Sequence, residues 1–249
     1  MRRAVPVLLA LALAGCAGDE ADRRASSQGP APAAAATPEP VEAEPAAPPA
    51  PKWRHLIARV TGPIAFREEP GGKPLGRVGR KTEFGGPRFL GVTGRRDGWL
   101  RIVIPERENG EHAWIREEKA KLFGTDVSVH IDRSARRLTV RDGDRLVLRI
   151  PVAVGRAEHP TPVGRYAVTD KLAMGGPGTT YGCCALALTG HQTDLPSGWA
   201  GGDRLAIHGT SDPSSIGLPA STGCLRAGDR DLRRLMRRVP LGAPVWVRA

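Results

Sequence analysis

Apolar residues between Trp53 and Leu122 come in short runs, at 64–66, 89–92, 99–104 and 113–115, with a Pro70-Gly71-Gly72 turn after the first of them. Several short strands broken by glycine and proline predict a small β-barrel. Past Val127 the alternation is cleaner. Val127, Val129 and Ile131 alternate with polar residues, as do Leu138 and Val140, then Leu146, Leu148, Ile150 and Val152, with Asp142-Gly143 between the last two sets. Period-two alternation predicts half-buried antiparallel strands, and Asp-Gly between two of them predicts a hairpin. Further strands are expected at 184–188, at 205–208 and, closing the chain, at 245–247. One helix is expected, with Asp229 or Asp231 near its start, Leu232, Leu235, Met236 and Val239 on one stripe, and Arg230, Arg233, Arg234, Arg237 and Arg238 on the other face. The fold class is mainly β: a small barrel, then a β-sandwich with a single helix packed behind the loop that carries Cys224.

The amino-terminal region has a different composition. Arg2-Arg3 followed by an apolar run over 4–12 has the charged start and short apolar core of a secretory signal, and the run is too short to span a bilayer. Leu13-Ala14-Gly15-Cys16 resembles a lipoprotein lipobox, in which Cys16 becomes the acylated first residue; the alternative is an ordinary cysteine beside a small-residue cleavage site. Residues 17–52 are rich in Ala, Pro and Glu, cannot bury a core, and are expected to be a disordered tether of roughly 30–35 Å average reach. The expected organisation is therefore 1–16 signal and lipobox, 17–52 tether, 53–122 barrel and 125–249 second domain. A formal charge of +11 on 249 residues fits attraction to anionic head groups and wall polymers, or simply solvated arginine faces. Nucleic acid is excluded as a partner, because an exported chain does not meet it and no nucleic-acid motif is present.

The chemistry is concentrated near the carboxyl end. His208-Gly209-Thr210 precedes Ser221-Thr222-Gly223-Cys224-Leu225-Arg226, and Cys224 lies sixteen residues after His208. A thiol nucleophile needs a base to take its proton, and a neighbouring glycine lets a substrate carbonyl approach backbone N–H donors. This stretch resembles the signature of the YkuD-type L,D-transpeptidases, in which a His is followed some sixteen residues later by a Ser/Thr-His-Gly-Cys block and usually an Arg. Thr222 stands where that family most often has a second His; the family's base is the upstream His, so the departure bears on substrate orientation. Pro160-Thr161-Pro162-Val163-Gly164-Arg165-Tyr166 resembles the family's Thr-Pro-x-Gly turn, and 127–247 has the family's length and order of parts. Gly98-Trp99-Leu100 followed by His112-Ala113-Trp114-Ile115 resembles a bacterial SH3-like domain, with Trp99 and Trp114 as barrel core or as a ligand platform.

The resemblance implies a YkuD-type β-sandwich acting on peptidoglycan stem peptides and using no cofactor, and the lipobox-like segment implies an exported protein of the cell envelope held to a membrane through Cys16. Cys224 would be the nucleophile and His208 its base, attacking the amide between the third stem residue and D-Ala. The family pattern gives the His an orienting carbonyl at the next residue, Gly209. Gly223 and Cys224 would supply oxyanion donors, and Ser221 would brace the loop. Arg226 would pair with a stem carboxylate or clamp the loop, and Thr222 and Tyr181 would lie against substrate. Transfer to an amine makes an L,D-transpeptidase, and transfer to water an L,D-carboxypeptidase; a non-catalytic wall-binding lipoprotein is the reading from a different class. Asp203 and Asp212 are candidates to orient His208 or are plain loop residues. His55, His112, His130, His159 and His191 are read as surface or satisfied side chains, with His159 and Tyr181 nearest the cleft. Adjacent Cys183 and Cys184 form either a vicinal disulfide or two buried thiols, and their spacing fits no zinc site.

Overall fold

The first strands form one antiparallel sheet because each carries a short apolar run with turn residues at both ends. In a computed structural model that describes residues 53–249, these are β1 (His55–Val60), β2 (Ile64–Arg67), β3 (Pro74–Val78), β4 (Phe89–Arg96), β5 (Trp99–Val103), β6 (Ala113–Arg116) and β7 (Ala120–Thr125), in the order β3-β2-β6-β5-β4-β1-β7. The signal, Cys16 and the tether lie outside the described residues. Ala58, Val60, Phe66, Leu90, Leu100, Ile102 and Ile115 are among the side chains that fill its core. Trp99 is buried, with the Arg116 guanidinium 4.2 Å from its ring centre, while Trp114 is half-buried under Arg96. The runs read from sequence are all strands, but β1, β3 and β7 are additional, and β7 continues past residue 122. β1 is itself apolar at Leu56, Ile57, Ala58 and Val60 and buries the last three, whereas β3 and β7 carry shorter apolar stretches and are held largely by pairing with β2 and β1.

The second sheet follows in chain order as β8 (Val127–Asp132), β9 (Arg137–Asp142), β10 (Arg145–Pro151), β11 (Val154–Gly155), β12 (Gly164–Ala173), β13 (Cys184–His191), β14 (Arg204–His208), β15 (Pro219–Ser221), β16 (Leu225–Arg226), α1 (Asp229–Arg238) and β17 (Pro244–Arg248). Eight of these strands form one sheet, β10-β9-β8-β17-β12-β13-β14-β16, and β11 pairs with β15 in a short parallel ladder beside it. The Asp142-Gly143 turn forms as expected, with Gly143 at φ +62°. Leu148, Ile150 and Val152 are buried, but Leu146 is not; a register shift between Leu146 and Leu148 leaves Leu146 42% exposed.

The helix α1 packs against β13 through Leu232 and Leu235, both fully buried, and Val239 is buried just beyond its end. Asp229 and Asp231 in the first turn and Arg237 and Arg238 in the last complement the helix dipole. Truncating Leu235 to Ala leaves a cavity under the sheet, so urea unfolding is expected to show a loss of about 2–5 kcal/mol.

Residues of the two sheets belong to one compact unit. They meet where side chains are absent: a Cβ on Gly91 of β4 would lie 2.6 Å from the Cβ of Ala167 on β12, and one on Gly242 would lie 2.4 Å from Ile57 on β1. Glycine backbone of each part therefore lies close against side chains of the other at this seam, and polar contacts extend it toward β13 and β14.

Candidate active site

Strand β14 is the base of the site. It pairs antiparallel with β13, with Ala185 opposite His208 and Ala187 opposite Ala206, and parallel with β16, with Ile207 opposite Leu225 and His208 opposite Arg226. Alternation along β14 puts Arg204, Ala206 and His208 on one face. Cys224, the residue before β16, thus lies beside this face, and its thiol donates to the Arg204 carbonyl at 3.7 Å.

The His208 ring is buried, and its Nδ1 lies 2.6 Å from the Gly209 carbonyl. A carbonyl only accepts, so Nδ1 carries the proton and the Nε2 lone pair is left for an incoming proton. The ring edge meets Tyr181, with 4.9 Å between centroids. Burial pushes the His208 pKa down to about 4, against the partial support of the Gly209 carbonyl, and the Arg226 charge lowers it further. Burial pushes the Cys224 thiol up, offset in part by a backbone hydrogen bond at Ala206 and by Arg226. Burial thus favours the neutral form of both the thiol and the imidazole, and the two line one cleft.

The nucleophile loop is tightly braced. Ser221 Oγ donates to the Cys224 carbonyl at 2.5 Å and accepts the Gly223 N–H at 3.1 Å. Gly223 has φ +114°, and a Cβ there would sit 2.2 Å from Gln192, so no other residue fits. Its N–H is already committed to Ser221, which corrects its expected part in an oxyanion site and leaves the Cys224 N–H for that work. Thr161 from the Thr-Pro-x-Gly turn is buried beneath the loop, donating to the Gly223 carbonyl at 2.7 Å while accepting the Gly155 N–H at 2.9 Å. Replacing Thr161 by Val strands both groups. Thermal unfolding is expected to show a loss of about 1–3 kcal/mol, with slower Cys224 acylation from the loosened loop.

Tyr181, His208, Ser221, Thr222, Cys224 and Arg226 line one cleft, so these expected site residues converge. Gly209 and Gly223 adjoin it through the contacts already described, and Cys16 lies outside the described residues. Arg226 pairs through its main chain with Ala153 in both directions, at 2.8 and 3.1 Å, while its guanidinium has no carboxylate partner among the described residues. Asp203 and Asp212 do not orient His208: Asp203 lies 2.9 Å from His191, and Asp212 caps a turn through Ser214. His159 faces the Asp194 carbonyl at 2.5 Å. Cys183 and Cys184 are joined in a disulfide, and Cys224 is free.

Among the cleft residues that the pattern of the chain did not point to are Gln192, Leu195, Trp199 and Arg204. Gln192 donates to the Thr222 and Pro160 carbonyls at 3.1 and 3.2 Å, joining the nucleophile loop to the Thr161 turn. Trp199 is 45% exposed in the loop between β13 and β14. A tryptophan within a glycine-rich polar stretch was the one available signal for that loop.

A free thiol and a neutral buried imidazole in one cleft are the two groups that acyl transfer through a cysteine requires. Residues 126–247 match the family model of the L,D-transpeptidase catalytic domain, YkuD. The chain is 32% identical over 119 residues to a Bacillus licheniformis protein provisionally named L,D-transpeptidase YkuD, covering 48% of this chain and 64% of that one. A Bacillus subtilis protein of the same provisional name is 29% identical over the same length and coverage. The chain thus spans less than two thirds of these curated relatives. Among solved structures, L,D-transpeptidase 3 from Mycobacterium tuberculosis with a faropenem-derived adduct is similar, with a TM-score of 0.44 and 18% identity, over 64% of this chain and 79% of that one.

Proposed function

We propose that the protein is an L,D-transpeptidase that cross-links peptidoglycan stem peptides through an acyl intermediate on Cys224. The observation that carries the reading is His208: its Nδ1 is held by Gly209, it is neutral at pH 7, and it lines the same cleft as the only free thiol among the described residues. As Cys224 Sγ attacks the carbonyl of the third stem residue, His208 Nε2 takes the thiol proton. The Cys224 N–H stabilises the oxyanion. Collapse breaks the amide, His208 returns the proton to the departing D-Ala amine, and a thioester remains. A side-chain amine of a second stem then attacks the thioester, losing a proton to His208, and the tetrahedral adduct expels the thiolate, which is reprotonated. Arg226 has an unpaired guanidinium suited to a stem carboxylate, while Thr222 and Tyr181 line the path of the chain.

The same reading gives the first sheet an SH3-like role in wall binding or spacing. It makes residues 1–16 a lipoprotein signal whose Cys16 holds the enzyme on a membrane of the cell envelope, with 17–52 as its tether. Intact-mass spectrometry of the protein incubated with a disaccharide tetrapeptide, with and without a second stem, tests the chemistry. A Cys224 adduct with cross-linked product is expected; an adduct giving only tripeptide shows a carboxypeptidase, and no adduct removes the enzyme reading.

A further inference from the structure

The loop between β13 and β14 places Leu195 and Trp199 in the thiol cleft. Its two ends are His191, the last residue of β13, and Arg204, the first of β14, which lie opposite each other in the ladder. Both ends are held from the first sheet's part of the chain. Asn109 grips the His191 backbone with two hydrogen bonds, Nδ2 to the carbonyl at 2.6 Å and Oδ1 from the N–H at 2.9 Å. The His191 ring faces the Pro105 carbonyl at 2.7 Å on one side and Asp203, inside the loop, at 2.9 Å on the other. Arg204 forms an ion pair with Glu83, and Phe84 lies 5.8 Å beneath its guanidinium. That side chain is only 14% exposed, and its remaining donors go to the Leu188 carbonyl and Thr169. The guanidinium is mostly buried while Glu83 is half exposed, so the pair ties a well-held Arg204 to the first sheet's part of the chain.

Arg204 itself and Gln192, the neighbour of His191, connect these hinges to the nucleophile loop. The Arg204 carbonyl accepts the Cys224 thiol, and the Gln192 N–H, next to His191, donates to the Asp203 carbonyl at 2.7 Å while the Gln192 side chain holds Thr222. We infer that Asn109 and Glu83 are positioning residues for the thiol cleft: from outside the matched residues 126–247 they fix both hinges of the 192–203 loop and so set the shape of the cleft presented to substrate. The first sheet is in this respect a part of the active site's framework as well as any wall-binding module. A loop fixed at both ends loses less conformational entropy when substrate orders it, so releasing the hinges should weaken binding more than the chemical step.

The inference uses the cleft geometry and can be tested apart from the transpeptidase reading. In the full-length protein, N109A, E83Q and their combination are compared with the unaltered chain by hydrogen exchange, by iodoacetamide alkylation of Cys224, and by acylation with a tetrapeptide stem. The double variant is expected to speed exchange across 192–203 by about tenfold with β8 to β10 unchanged, and to raise KM at least about fivefold with kcat within about twofold. Alkylation should change by about threefold as the Arg204 carbonyl is released, and E83D, which keeps the ion pair, should restore the loop. Unchanged exchange over 192–203, or exchange raised equally through the whole second sheet, overturns the inference. If the unaltered chain acylates with no stem peptide, the proposed function falls, while exchange and alkylation still decide whether the hinges are held.

Discussion

Cys224→Ala is expected to leave a folded protein that releases D-Ala at less than about one part in 10⁴ of the original rate and forms no covalent adduct. The thiol is the only atom in the cleft able to form a thioester, so removing it eliminates the intermediate rather than slowing one step. Folding should survive, because the loop is held by Ser221, Thr161 and Gln192 rather than by the sulfur, whose contacts are a long hydrogen bond to the Arg204 carbonyl and a backbone hydrogen bond at Ala206. Intact-mass spectrometry with a stem peptide, beside circular dichroism, separates the two effects. Substantial turnover by the folded variant would remove Cys224 as the nucleophile.

The second large effect concerns His208. His208→Ala should slow acylation by about 10² to 10⁴, the range general bases contribute. The pH profile is more diagnostic. Because burial holds His208 down to about 4, the imidazole stays a competent base well below pH 6, and the acid limb of kcat/KM should fall near 4 to 5. An acid limb centred near 6.5 would instead indicate a solvent-exposed imidazole or another base. The same displacement links to stability. Between its unfolded value near 6.5 and its folded value near 4, His208 is protonated in the unfolded chain and neutral in the folded one. Its contribution is fully present above about pH 6.5 and is lost as pH falls toward 4, for a total of about 3 kcal/mol. Burial also lowers His55, His112 and His130, which act in the same direction. Urea midpoints at pH 7 and pH 4.5 should therefore differ, and His208→Ala should narrow the difference.

Much of this architecture could be read from local pattern. The Asp142-Gly143 hairpin, the single helix with its Leu232 and Leu235 stripe, and the pairing of His208 with a later Cys224 are short-range features, since alternation, turn chemistry and motif spacing all act over a few residues. The Gly209 carbonyl against His208 was implied by the family resemblance rather than by local pattern, and Ser221 was expected to hydrogen-bond within its own loop; the structure has Nδ1 of His208 at the Gly209 carbonyl and Ser221 Oγ at the Cys224 carbonyl. Thr161 was legible as part of a motif, but its task as the prop under Gly223, 62 residues away, was not.

What the chain's pattern could not show was which distant segments meet. Gln192, Arg204 and Trp199 look like ordinary loop and strand-end residues until β13 and β14 bring them beside Cys224. Asn109 and Glu83 carry no signal at all until Gly91 and Ala167 let the two sheets approach. The identity and order of the chemical groups are properties of sequence, because nucleophile, base and turn are specified by residue type and spacing. The protonation of His208 and Cys224 and the hold on the cleft's loop belong to the tertiary structure, because burial and long-range hydrogen bonding exist only once the sheets have packed.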